Sequence, residues 1–389
     1  MRVTIINQYC ENRGDEAAGE ALVKNLLQIQ KIERIDIIYN SAFRLNIDDP
    51  KVHHRNEDLL LKKVGVRGIL QYLLFRKTVF KNLAYANAAM REMARTIRES
   101  DIIFVTPCGA SIGIYKDWPF LIRLLFCLYE KKTPVFYLDT VGKSGDWLFD
   151  HLAAKVTKKS KMYVREKASF EYLKSIGVVA KQGVDTAFFL PPLYNQRSDR
   201  KIGIVTTQLD WHPDFQGQDI NTVFFQKILP GIAQFAVRHL YEIDLIPHTG
   251  SKKEMTFLKE WSYNLAKAGV PYSLIHIRTD VKTAEEYDRT IASEHLIAGM
   301  RYHSIVLAAK NAVPFVSFAY ENKMKEVCRY TGMNQNCLDL HQPISPEKVN
   351  KLLEQTDKKA EFISDYLKKQ YPDLKQKAIL PLEQLTFLS

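Results

Sequence analysis

The sequence predicts an α/β protein with two domains, on the basis of chain length, composition and the order of its apolar segments. At 389 residues the chain is longer than a single hydrophobic core usually grows. Hydrophobic residues make up 46% of the chain and charged residues 25%, which is typical of globular proteins and sufficient to fill two cores. Short apolar runs alternate with segments whose apolar residues recur at helical spacing, as in parallel sheets whose strands are joined by helices.

The first half of the chain opens with a β-loop-α unit. VTIIN is a β-branched run, and after the loop QYCENRGDE the segment AAGEALVKNLLQ has helical periodicity. With the apolar runs that follow, this half is predicted to contain strands at residues 3–7, 35–40, 102–107 and 134–140. The last two runs end in Pro, Asp or Thr, as strands do where their carboxyl ends open onto a crevice.

A domain junction is predicted at residues 188–201, where paired prolines precede a polar stretch and a new strand begins. The second half repeats the α/β order, with strands predicted at residues 201–208, 241–248, 271–278, 294–299 and 314–320. We therefore assign residues 1–192 to an N-terminal domain and 200–345 to a C-terminal domain. Residues 346–389 are predicted to form C-terminal helices that can return to the first domain.

The chain carries a formal net charge of +11 and has an isoelectric point near 9.2, so a negatively charged partner is expected. Nucleic acid, anionic lipid and a phosphorylated or carboxylated small molecule all fit this charge. Nucleic acid is the least favoured, because the sequence has no zinc-finger spacing, no basic heptad region and no RNP-like aromatic motif.

Cysteine usage and motif content favour a reducing compartment and suggest no metal site. The five cysteines are scattered and never in a CxxC spacing, which argues against a disulfide framework and a zinc site. We see no signal-peptide pattern, and the most apolar stretch, residues 118–129, is shorter than the roughly 20 residues that a membrane-spanning helix needs. The sequence also lacks HExxH, GxSxG and P-loop motifs.

A basic segment surrounds the apolar run GILQYLLF. No acidic residue occurs from Leu59 to Arg91, whereas this segment contains Lys62, Lys63, Arg67, Arg76, Lys77, Lys81 and Arg91. Such a segment can form a basic amphipathic helix that lies on anionic lipid headgroups. The alternative is a helix packed on its own domain, with the basic side chains solvated.

The turn after the predicted strand EHLIAG is the strongest candidate site. Gly299, Arg301 and His303 lie between this strand and the helix YHSIVLAAKNA, and backbone N–H groups and the helix dipole favour an anion at such a position. Arg301 adds a planar guanidinium suited to phosphate or carboxylate, and His303 is a side chain that can carry a proton near neutral pH. The alternative is that Arg301 pairs with a carboxylate of the other domain and His303 only caps or packs.

Two further residues follow strands of the second domain. Lys323 comes just after PFVSFAY, and His248 follows YEIDLIP. Ligands of open α/β sheets bind at the carboxyl ends of strands, so both side chains are candidates for contact with the same anion. The alternatives are an ordinary exposed lysine and a loop histidine without a role.

The first domain contributes weaker candidates. Gly109 and Ser111, in CGASIG, are small residues that allow a backbone to approach a ligand. Asp15 either lines the binding region or complements the N-terminus of the first helix, as acidic residues in first turns do. Arg165 ends a predicted strand and either binds an anion or forms a salt bridge with Glu166 or another neighbour.

Several segments together resemble the polysaccharide pyruvyl transferase family. These are NRGDEAAGEAL, CGASIG, VREKASFEYLKSIGV, VDTAFFL and, above all, AGMRYHSIVLAAKNAVPFVSFAYENK, so the resemblance covers nearly the whole chain. It implies a fold similar to the GT-B glycosyltransferases, with two Rossmann-like domains facing a cleft, the acceptor on the side of the first and the donor on the side of the second. It also implies that phosphoenolpyruvate donates its enolpyruvyl unit to a sugar as a ketal, without a cofactor.

The resemblance implies roles for individual residues of this sequence. The GMRYH match makes Arg301 a clamp on the donor's phosphate or carboxylate and His303 the catalytic acid. The VRE match makes Arg165 a second donor-binding residue, and the PHTG match makes His248 a further donor contact. Many family members carry a run of glycines where this chain has CGAS at residues 108–111, so the added side chains are expected to narrow the cleft.

The leading hypothesis is a cytoplasmic enzyme, at or near the inner face of the membrane, that pyruvylates a glycan or a lipid-linked sugar during surface polysaccharide synthesis. The first alternative is a GT-B-type glycosyltransferase that uses a nucleotide sugar. The second is a non-catalytic scaffold in polysaccharide assembly. The CGAS sequence at a position where many family members have glycines favours this alternative.

Overall fold

The computed structural model describes residues 1–55, 67–68, 70–194, 197–210, 212–215, 217 and 220–386. The chain divides into two compact units. The first unit comprises Met1–Glu11, Ala18–Thr186 and Ala378–Ser389, and the second comprises Asn12–Ala17 and Ala187–Lys377. The segment Asn12–Ala17, at the start of the first helix, therefore belongs to the second unit although both of its flanks belong to the first.

The first unit is built on a parallel sheet of seven strands. These strands are β1 Arg2–Gln8, β2 Arg34–Tyr39, β3 Val52–Arg55, β4 Ile102–Val105, β5 Pro134–Asp139, β6 Lys161–Val164 and β7 Ala180–Gln182. Their order across the sheet is β3-β2-β1-β4-β5-β6-β7. The chain thus adds strands outward from β1 in one direction and then in the other, which is the order of a doubly wound fold.

Both faces of this sheet are covered by the rest of the first unit. Ile6 and Ile38 belong to one buried apolar cluster and Ile5 and Ile37 to another, as expected when successive side chains of a strand point to opposite faces. The helices are Arg13–Leu27, Ala88–Glu99, Trp118–Tyr129, Trp147–Thr157 and Lys167–Ser175, with short helical segments at Lys81–Ala84, Leu380–Leu382 and Glu383–Thr386.

The start of three of these helices is fixed by a side-chain cap. Asn87, Asp117 and Asp146 each accept a hydrogen bond from the backbone N–H three residues later. Such a cap satisfies one of the N–H groups that the first turn of a helix leaves without an intrahelical partner.

The second unit has a parallel sheet of six strands. These are β8 Lys201–Val205, β9 Glu242–Leu245, β10 Ile275–Ile277, β11 Leu296–Gly299, β12 Phe315–Ala319 and β13 Cys337–Asp339. The order β10-β9-β8-β11-β12-β13 matches that of the first six strands of the other sheet. Both units are therefore Rossmann-like, and the predicted α/β class with two such domains is confirmed.

The helices of the second unit follow the same alternation with strands. They are Leu229–His239, Lys252–Lys267, Ala284–Ser293, Tyr302–Lys310, Asn322–Tyr330, Pro346–Lys358 and Ala360–Ala378. A short α-helix at Ile220–Val223 and a π-helix at Phe224–Ile228 precede the first of them. Short 3₁₀ helices occur at Thr186–Phe189, Pro213–Phe215, Tyr272–Leu274 and Asn334–Asn336. In the parts of the chain that the structure describes, no helix is long and apolar enough to cross a membrane.

The division between the units differs from the predicted domain boundaries. The second unit begins at Ala187, before the paired prolines, rather than at residue 200. It also continues to Lys377, so the C-terminal helices stay with the second unit and only the residues from Ala378 onward belong to the first.

Close helix packing explains why the C-terminal helices stay with the second unit. The helix Pro346–Lys358 lies so close to Leu229–His239 that a Cβ atom on Gly231 would be 2.7 Å from the Cβ of Val349. Real Cβ atoms essentially never approach so closely. Apolar periodicity in the sequence predicts that these residues are helical, but it does not identify the helix against which they pack.

The strands that sequence patterns did not predict include three of the four edge strands. β3, β7 and β13 contain only three or four residues, and each pairs with a single neighbour. Their sequences VHHR, AKQ and CLD are partly polar, so they lack the apolar run that marks a strand buried on both faces. Within the predicted basic segment, residues 70–75 are helical, whereas Lys62 and Lys63 lie outside the described residues.

Two carboxyl groups lie next to each other in the interior of the second unit. Glu294 is fully buried just before β11, and Asp244, in β9, is 1% exposed and accepts a hydrogen bond from Arg278 at 2.8 Å. Burial, and then the charge of the neighbouring Asp244, raise the pKa of Glu294 well above its usual value. Glu294 therefore remains protonated in the folded chain at a pH where an exposed glutamate is ionised.

Replacing Glu294 with Gln is expected to stabilise the protein increasingly as the pH rises from about 5 to about 8. The folded-state pKa of Glu294 is raised, so the stabilising contribution of its acid form is fully present below the unfolded-state pKa and is lost as pH rises through the folded-state pKa. A glutamine side chain does not ionise, so the variant does not lose stability in this way. The difference in Tm between Glu294→Gln and wild type, measured by scanning calorimetry, should grow with pH by about 2–4 °C for each kcal/mol gained.

Glu285→Gln is the matched control, because the Glu285 side chain is 69% exposed on the nearby helix Ala284–Ser293. Its Tm difference from wild type should not change in the same direction with pH. A Tm difference for Glu294→Gln that stays constant over this range would contradict the assignment of a buried, protonated Glu294.

Candidate functional site

The candidate site lies at the carboxyl edge of the second sheet. Because the six strands are parallel, the residues that follow β8, β9, β11 and β12 meet along one edge. The strand order reverses between β8 and β11, and ligands of doubly wound folds bind in the crevice at such a point. His248 follows β9, Arg301 and His303 follow β11, and Lys323 follows β12.

The turn after β11 is held tightly to the helix Tyr302–Lys310. A Cβ atom on Gly299 would be 2.6 Å from Ile305 Cγ2 and 2.7 Å from Ser304 Oγ, so a side chain at this position would require the turn to open. Ser304 Oγ donates a hydrogen bond to the backbone oxygen of Arg301 at 2.6 Å. Arg301 and His303 are therefore attached to a rigid backbone at the N-terminus of a buried helix.

His303 packs directly on the backbone of Gly14. A Cβ atom on Gly14 would be 2.5 Å from His303 Cβ and would overlap the imidazole ring as well. His303 is 4% exposed, and its ring also contacts Tyr302, with ring centroids 4.9 Å apart. The segment Asn12–Ala17 thus belongs to the same structural unit as His303 and forms one wall of its environment.

The loop that contains His248 is organised by a carboxylate. Glu254 accepts hydrogen bonds from the backbone N–H groups of His248, Thr249 and Gly250 at 2.7–3.0 Å, and Ser251 caps the helix Lys252–Lys267. Gly250 has a φ of +67°, a conformation that glycine adopts without strain. The backbone oxygen of His248 accepts a hydrogen bond from the N–H of Arg13 at 2.9 Å, which anchors the first turn of the first helix to this loop.

His248 is buried among positive charges. It is 5% exposed, and its Nδ1 lies 3.3 Å from the hydroxyl of Tyr287. Burial is the main cause that holds the pKa of His248 well below 6.5, and the charges of Arg301, His303, Arg13 and Lys323 lower it further. His248 is therefore neutral at pH 7, and the same interactions show that these four side chains lie around it.

Lys323 is partly neutralised by the residue that precedes its helix. Its Nζ forms an ion pair with Glu321 at 2.8 Å and lies 5.7 Å from the centre of the Tyr302 ring. Glu321 also lies 3.6 Å from Nε2 of His212, a histidine that is 1% exposed. Lys323 is 8% exposed, so it is not the ordinary surface lysine that the sequence alone would favour.

Arg301 differs from Lys323 because no carboxylate among the described residues of the second unit forms an ion pair with its guanidinium. Its Nε is buried, and its neighbours are the hydroxyl of Tyr320, with which it forms a hydrogen bond, and Tyr287. Desolvation raises the pKa values of both tyrosines, so both hydroxyls stay protonated at neutral pH. The guanidinium is thus half-buried without a compensating negative charge from these neighbours.

This arrangement can bind an anion and transfer a proton to it. Arg301, Lys323 and Arg13 supply positive charge, Tyr287 and Tyr320 supply hydroxyl groups, and a helix N-terminus adds backbone N–H groups. His303 is the titratable imidazole at the same turn. Among the described residues, no group of three or more His, Cys, Asp or Glu side chains is arranged to hold a metal ion.

Arg165, the donor-binding candidate of the first domain, lies in the interior of the first unit. It is 1% exposed, and its guanidinium donates to Asp185 at 2.7 Å, to the backbone oxygen of Cys108 at 2.9 Å and to Thr140 Oγ1 at 3.1 Å. In this structure Arg165 therefore organises the loops after β4, β5 and β7. Its contact with a donor stays a prediction.

The CGAS loop, residues 108–111, follows β4 and has three residues other than glycine. Two of these three side chains point into the protein. Cys108 and Ala110 are 5% and 6% exposed, whereas Gly109 and Ser111 are half-buried. The Cys108 thiol donates to the buried carboxyl of Asp139 at 3.0 Å, and burial raises the pKa of Asp139 to about 8. Of the three side chains in this loop, only that of Ser111 is thus partly accessible to solvent.

Asp15 is in the first turn of the helix Arg13–Leu27, within the second unit. Asn12 Oδ1 accepts a hydrogen bond from the N–H of Asp15 at 2.8 Å, and Asn12 Nδ2 donates to the Asp15 carboxylate at 2.7 Å. Asp15 therefore contributes to the helix start, as the capping alternative expected. Its half-buried side chain remains a candidate for contact with a substrate.

Sequence analysis did not identify six residues that the structure brings to this site: Arg13, Gly14, His212, Tyr287, Tyr320 and Glu321. Tyr320, Glu321 and His212 follow β12 and β8, so the rule that ligands bind at carboxyl ends of strands could have found them. Gly14 and Arg13 reach the site through a contact between segments that are far apart in sequence. No local pattern signals such a contact.

Comparison with known proteins places these observations in a family. A family model described as polysaccharide pyruvyl transferase matches residues 12–322, which include Arg13, His248, Arg301 and His303 and end one residue before Lys323. The amylovoran biosynthesis protein AmsJ of Erwinia amylovora is 21% identical over 372 residues, covering 87% of this chain and 88% of AmsJ.

Solved structures with low sequence identity have the same fold. UDP-GlcNAc 2-epimerase of Neisseria meningitidis, bound to UDP-GlcNAc, is 12% identical with a TM-score of 0.56, covering 99% of this chain and all of the epimerase. The corresponding enzyme of Methanocaldococcus jannaschii is 14% identical with a TM-score of 0.55, covering 91% and 92% of the two chains. The two Rossmann-like units of this chain thus have the GT-B-like architecture that its sequence implied.

Proposed function

The chain belongs to the polysaccharide pyruvyl transferase family, and we propose that it transfers the pyruvyl group of phosphoenolpyruvate to two hydroxyls of a sugar as a ketal. The observation that best supports this proposal is the turn after β11. There Arg301 lacks a carboxylate partner among the described residues of the second unit, and His303 lies on the same turn.

The chemistry requires a proton, negative-charge compensation and a leaving group. A proton adds to the methylene carbon of phosphoenolpyruvate and creates an oxocarbenium-like centre at C2. The two sugar hydroxyls attack this carbon and lose their protons, and inorganic phosphate departs. We propose that His303 delivers the proton, and that Arg301 and Lys323 offset the donor charge of about three units and stabilise the departing phosphate.

The two histidines of the site are suited to different roles. His248 is neutral at pH 7 because burial and four nearby side chains lower its pKa, so it has no proton to give as an imidazolium. A neutral imidazole beside the Tyr287 hydroxyl is better suited to a hydrogen bond with bound donor. We therefore assign proton donation to His303 and donor positioning to His248.

The biological setting of this proposal is the synthesis of a surface polysaccharide. The similarity to AmsJ, an amylovoran biosynthesis protein, is consistent with this setting. We propose that the acceptor is a glycan or a lipid-linked sugar, and that the enzyme works in the cytoplasm at the inner face of the membrane. Asp15, Gly109 and Ser111 remain the candidates for acceptor contacts.

Phosphoenolpyruvate should raise the Tm of the wild-type protein selectively, because a ligand that binds only the folded state stabilises it by about 2.7 kcal/mol at a concentration of about 100 times its Kd. Phosphate, pyruvate and UDP-GlcNAc are the comparison ligands in the same thermal-shift titration. Arg301→Ala should weaken phosphoenolpyruvate binding at least about tenfold. Arg329→Ala, which removes a surface arginine paired with Glu326 on the helix Asn322–Tyr330, is the control.

A Tm shift with UDP-GlcNAc alone would favour the glycosyltransferase alternative instead. Absence of a shift with every ligand would favour the non-catalytic scaffold. Equal shifts for wild type and Arg301→Ala would remove Arg301 from the donor site.

Replacing His303 with Asn should lower kcat about 10²–10⁴-fold, the usual contribution of general acid catalysis. The assay is release of inorganic phosphate from phosphoenolpyruvate in the presence of methyl glycosides with neighbouring hydroxyl pairs. His276→Asn is the matched control, because the His276 side chain is 45% exposed in β10. An unchanged kcat for His303→Asn, with the thermal shift by phosphoenolpyruvate retained, would refute the proposed role.

Replacing Gly14 with Ala should lower kcat at least about tenfold, because even a small displacement of a catalytic group lowers the reaction rate strongly. The added methyl overlaps the His303 ring and must push it from its position. Gly142→Ala is the matched control, since a Cβ there meets no atom within 4 Å. The same phosphate-release assay checks both variants, and a kcat for Gly14→Ala equal to that of the control would show that His303 does not depend on this contact.

A further inference from the structure

Residues 70–83 of the first unit form a concentrated exposed apolar surface. Of the sixteen large hydrophobic side chains that are exposed in the described parts of the chain, six lie in this stretch. They are Leu70, Leu73, Leu74, Val79, Phe80 and Leu83, and we call them the 70–83 surface. Single exposed hydrophobic residues need no explanation, but a contiguous group of them marks an interaction site.

The 70–83 surface is anchored to the first unit from its other side. Tyr72, 1% exposed, stacks on Phe126 with ring centroids 4.1 Å apart, and its hydroxyl donates to Glu130 at 2.9 Å. The Arg76 guanidinium lies 3.9 Å from the centre of the Tyr129 ring. Residues 70–75 thus pack one side of their helix against Trp118–Tyr129, while Leu70, Leu73 and Leu74 remain exposed.

A local hydrogen-bond network holds the remaining apolar residues in place. Thr78 Oγ1 donates to the backbone oxygen of Phe75 at 2.8 Å and accepts from the N–H of Phe80 at 3.2 Å. Gln71 Nε2 donates to the backbone oxygen of Leu83 at 2.5 Å. Val79, 90% exposed, and Phe80, 61% exposed, are therefore presented by an ordered turn.

In the described part of the stretch from Arg67 to Arg91, every charged residue is basic. Arg67, Lys77 and Arg91 are exposed, and the sequence has no acidic residue from Leu59 to Arg91. The nearby carboxylate of Glu130 is 11% exposed and is occupied by Tyr72, Tyr85 and Arg98. The 70–83 surface therefore presents apolar side chains that are flanked in sequence by exposed basic residues.

We propose that the 70–83 surface binds the protein to membranes that carry anionic headgroups. Leu, Val and Phe side chains insert at the boundary of headgroups and acyl chains, and the basic residues bind the negative surface. A protein partner fits less well, since this surface contains no acidic residue that could pair with a basic residue of a partner and fix its orientation. This inference rests on the surface alone and is independent of the proposed reaction.

The test is co-sedimentation of the full chain with vesicles. Wild type should bind vesicles of phosphatidylcholine mixed with phosphatidylglycerol and should bind pure phosphatidylcholine much less. Binding should weaken as salt is added, because salt screens exposed charges. The apolar variant Leu74→Ser/Val79→Ser/Phe80→Ser and the charge variant Arg67→Gln/Lys77→Gln should each reduce the partition coefficient at least about tenfold.

Matched controls come from the same unit. Val179→Ser removes a valine that is 90% exposed, as Val79 is, and Lys158→Gln/Lys159→Gln removes two exposed lysines. Both controls should bind like wild type, and the Tm of every variant should remain close to that of wild type. No binding to the mixed vesicles, or equal binding by the variants and controls, would overturn the proposal.

A second copy of the chain is the competing occupant of the 70–83 surface. If wild type is a dimer in analytical ultracentrifugation without vesicles and the apolar variant is a monomer, the surface is a self-association interface and the membrane proposal is wrong. Monomeric behaviour of both proteins, together with binding of wild type to anionic vesicles, supports it.

Discussion

The close packing of the Gly14 backbone on the His303 imidazole is the contact on which the candidate site depends. It joins the start of the chain to the turn after β11, and the hydrogen bond from Arg13 to His248 adds a second link to the loop after β9. The first helix therefore begins in the second unit and continues in the first. A side chain at position 14 is incompatible with this contact, so glycine is required there for packing rather than for a special φ angle.

The charge balance of the site explains why it is suited to an anionic ligand. Glu254 is occupied by three backbone N–H groups, and Glu321 pairs with Lys323. Arg301 has hydroxyl neighbours instead, and His248 remains neutral because burial, and then the surrounding positive charge, lower its pKa. A buried or half-buried charge is unfavourable until it is paired. A ligand with phosphate or carboxylate groups would supply the missing negative charge at Arg301.

The sequence predicted most of the fold because most strands are buried runs of apolar residues. Ten predicted strands, counting the one that Arg165 ends, correspond to strands of the structure, whereas the polar edge strands β3, β7 and β13 lack an apolar run that would predict them. Unit boundaries were less predictable, since they depend on which helices pack together, as at Gly231 and Val349. In the site, strand-to-helix turns pointed to Arg301, His303, His248 and Lys323, but the contact of Gly14 with His303 is long-range and has no sequence signature.

Arg165 and Arg301 show that an arginine in a strand-to-helix turn does not by itself identify an anion site. Both arginines follow a parallel strand and precede a helix, so the sequence gives them the same expectation of an anion site. The difference arises from the neighbouring strands. β7 is followed by Asp185, which pairs with Arg165, whereas Glu321, the carboxylate that follows β12, pairs with Lys323, and the Tyr320 hydroxyl is the neighbour of Arg301. β7 is also an edge strand without an apolar run, so its pairing with β6 could not be predicted from the sequence. An arginine after a strand of this fold can therefore be assigned to ligand binding only once the residues that follow both adjacent strands are known.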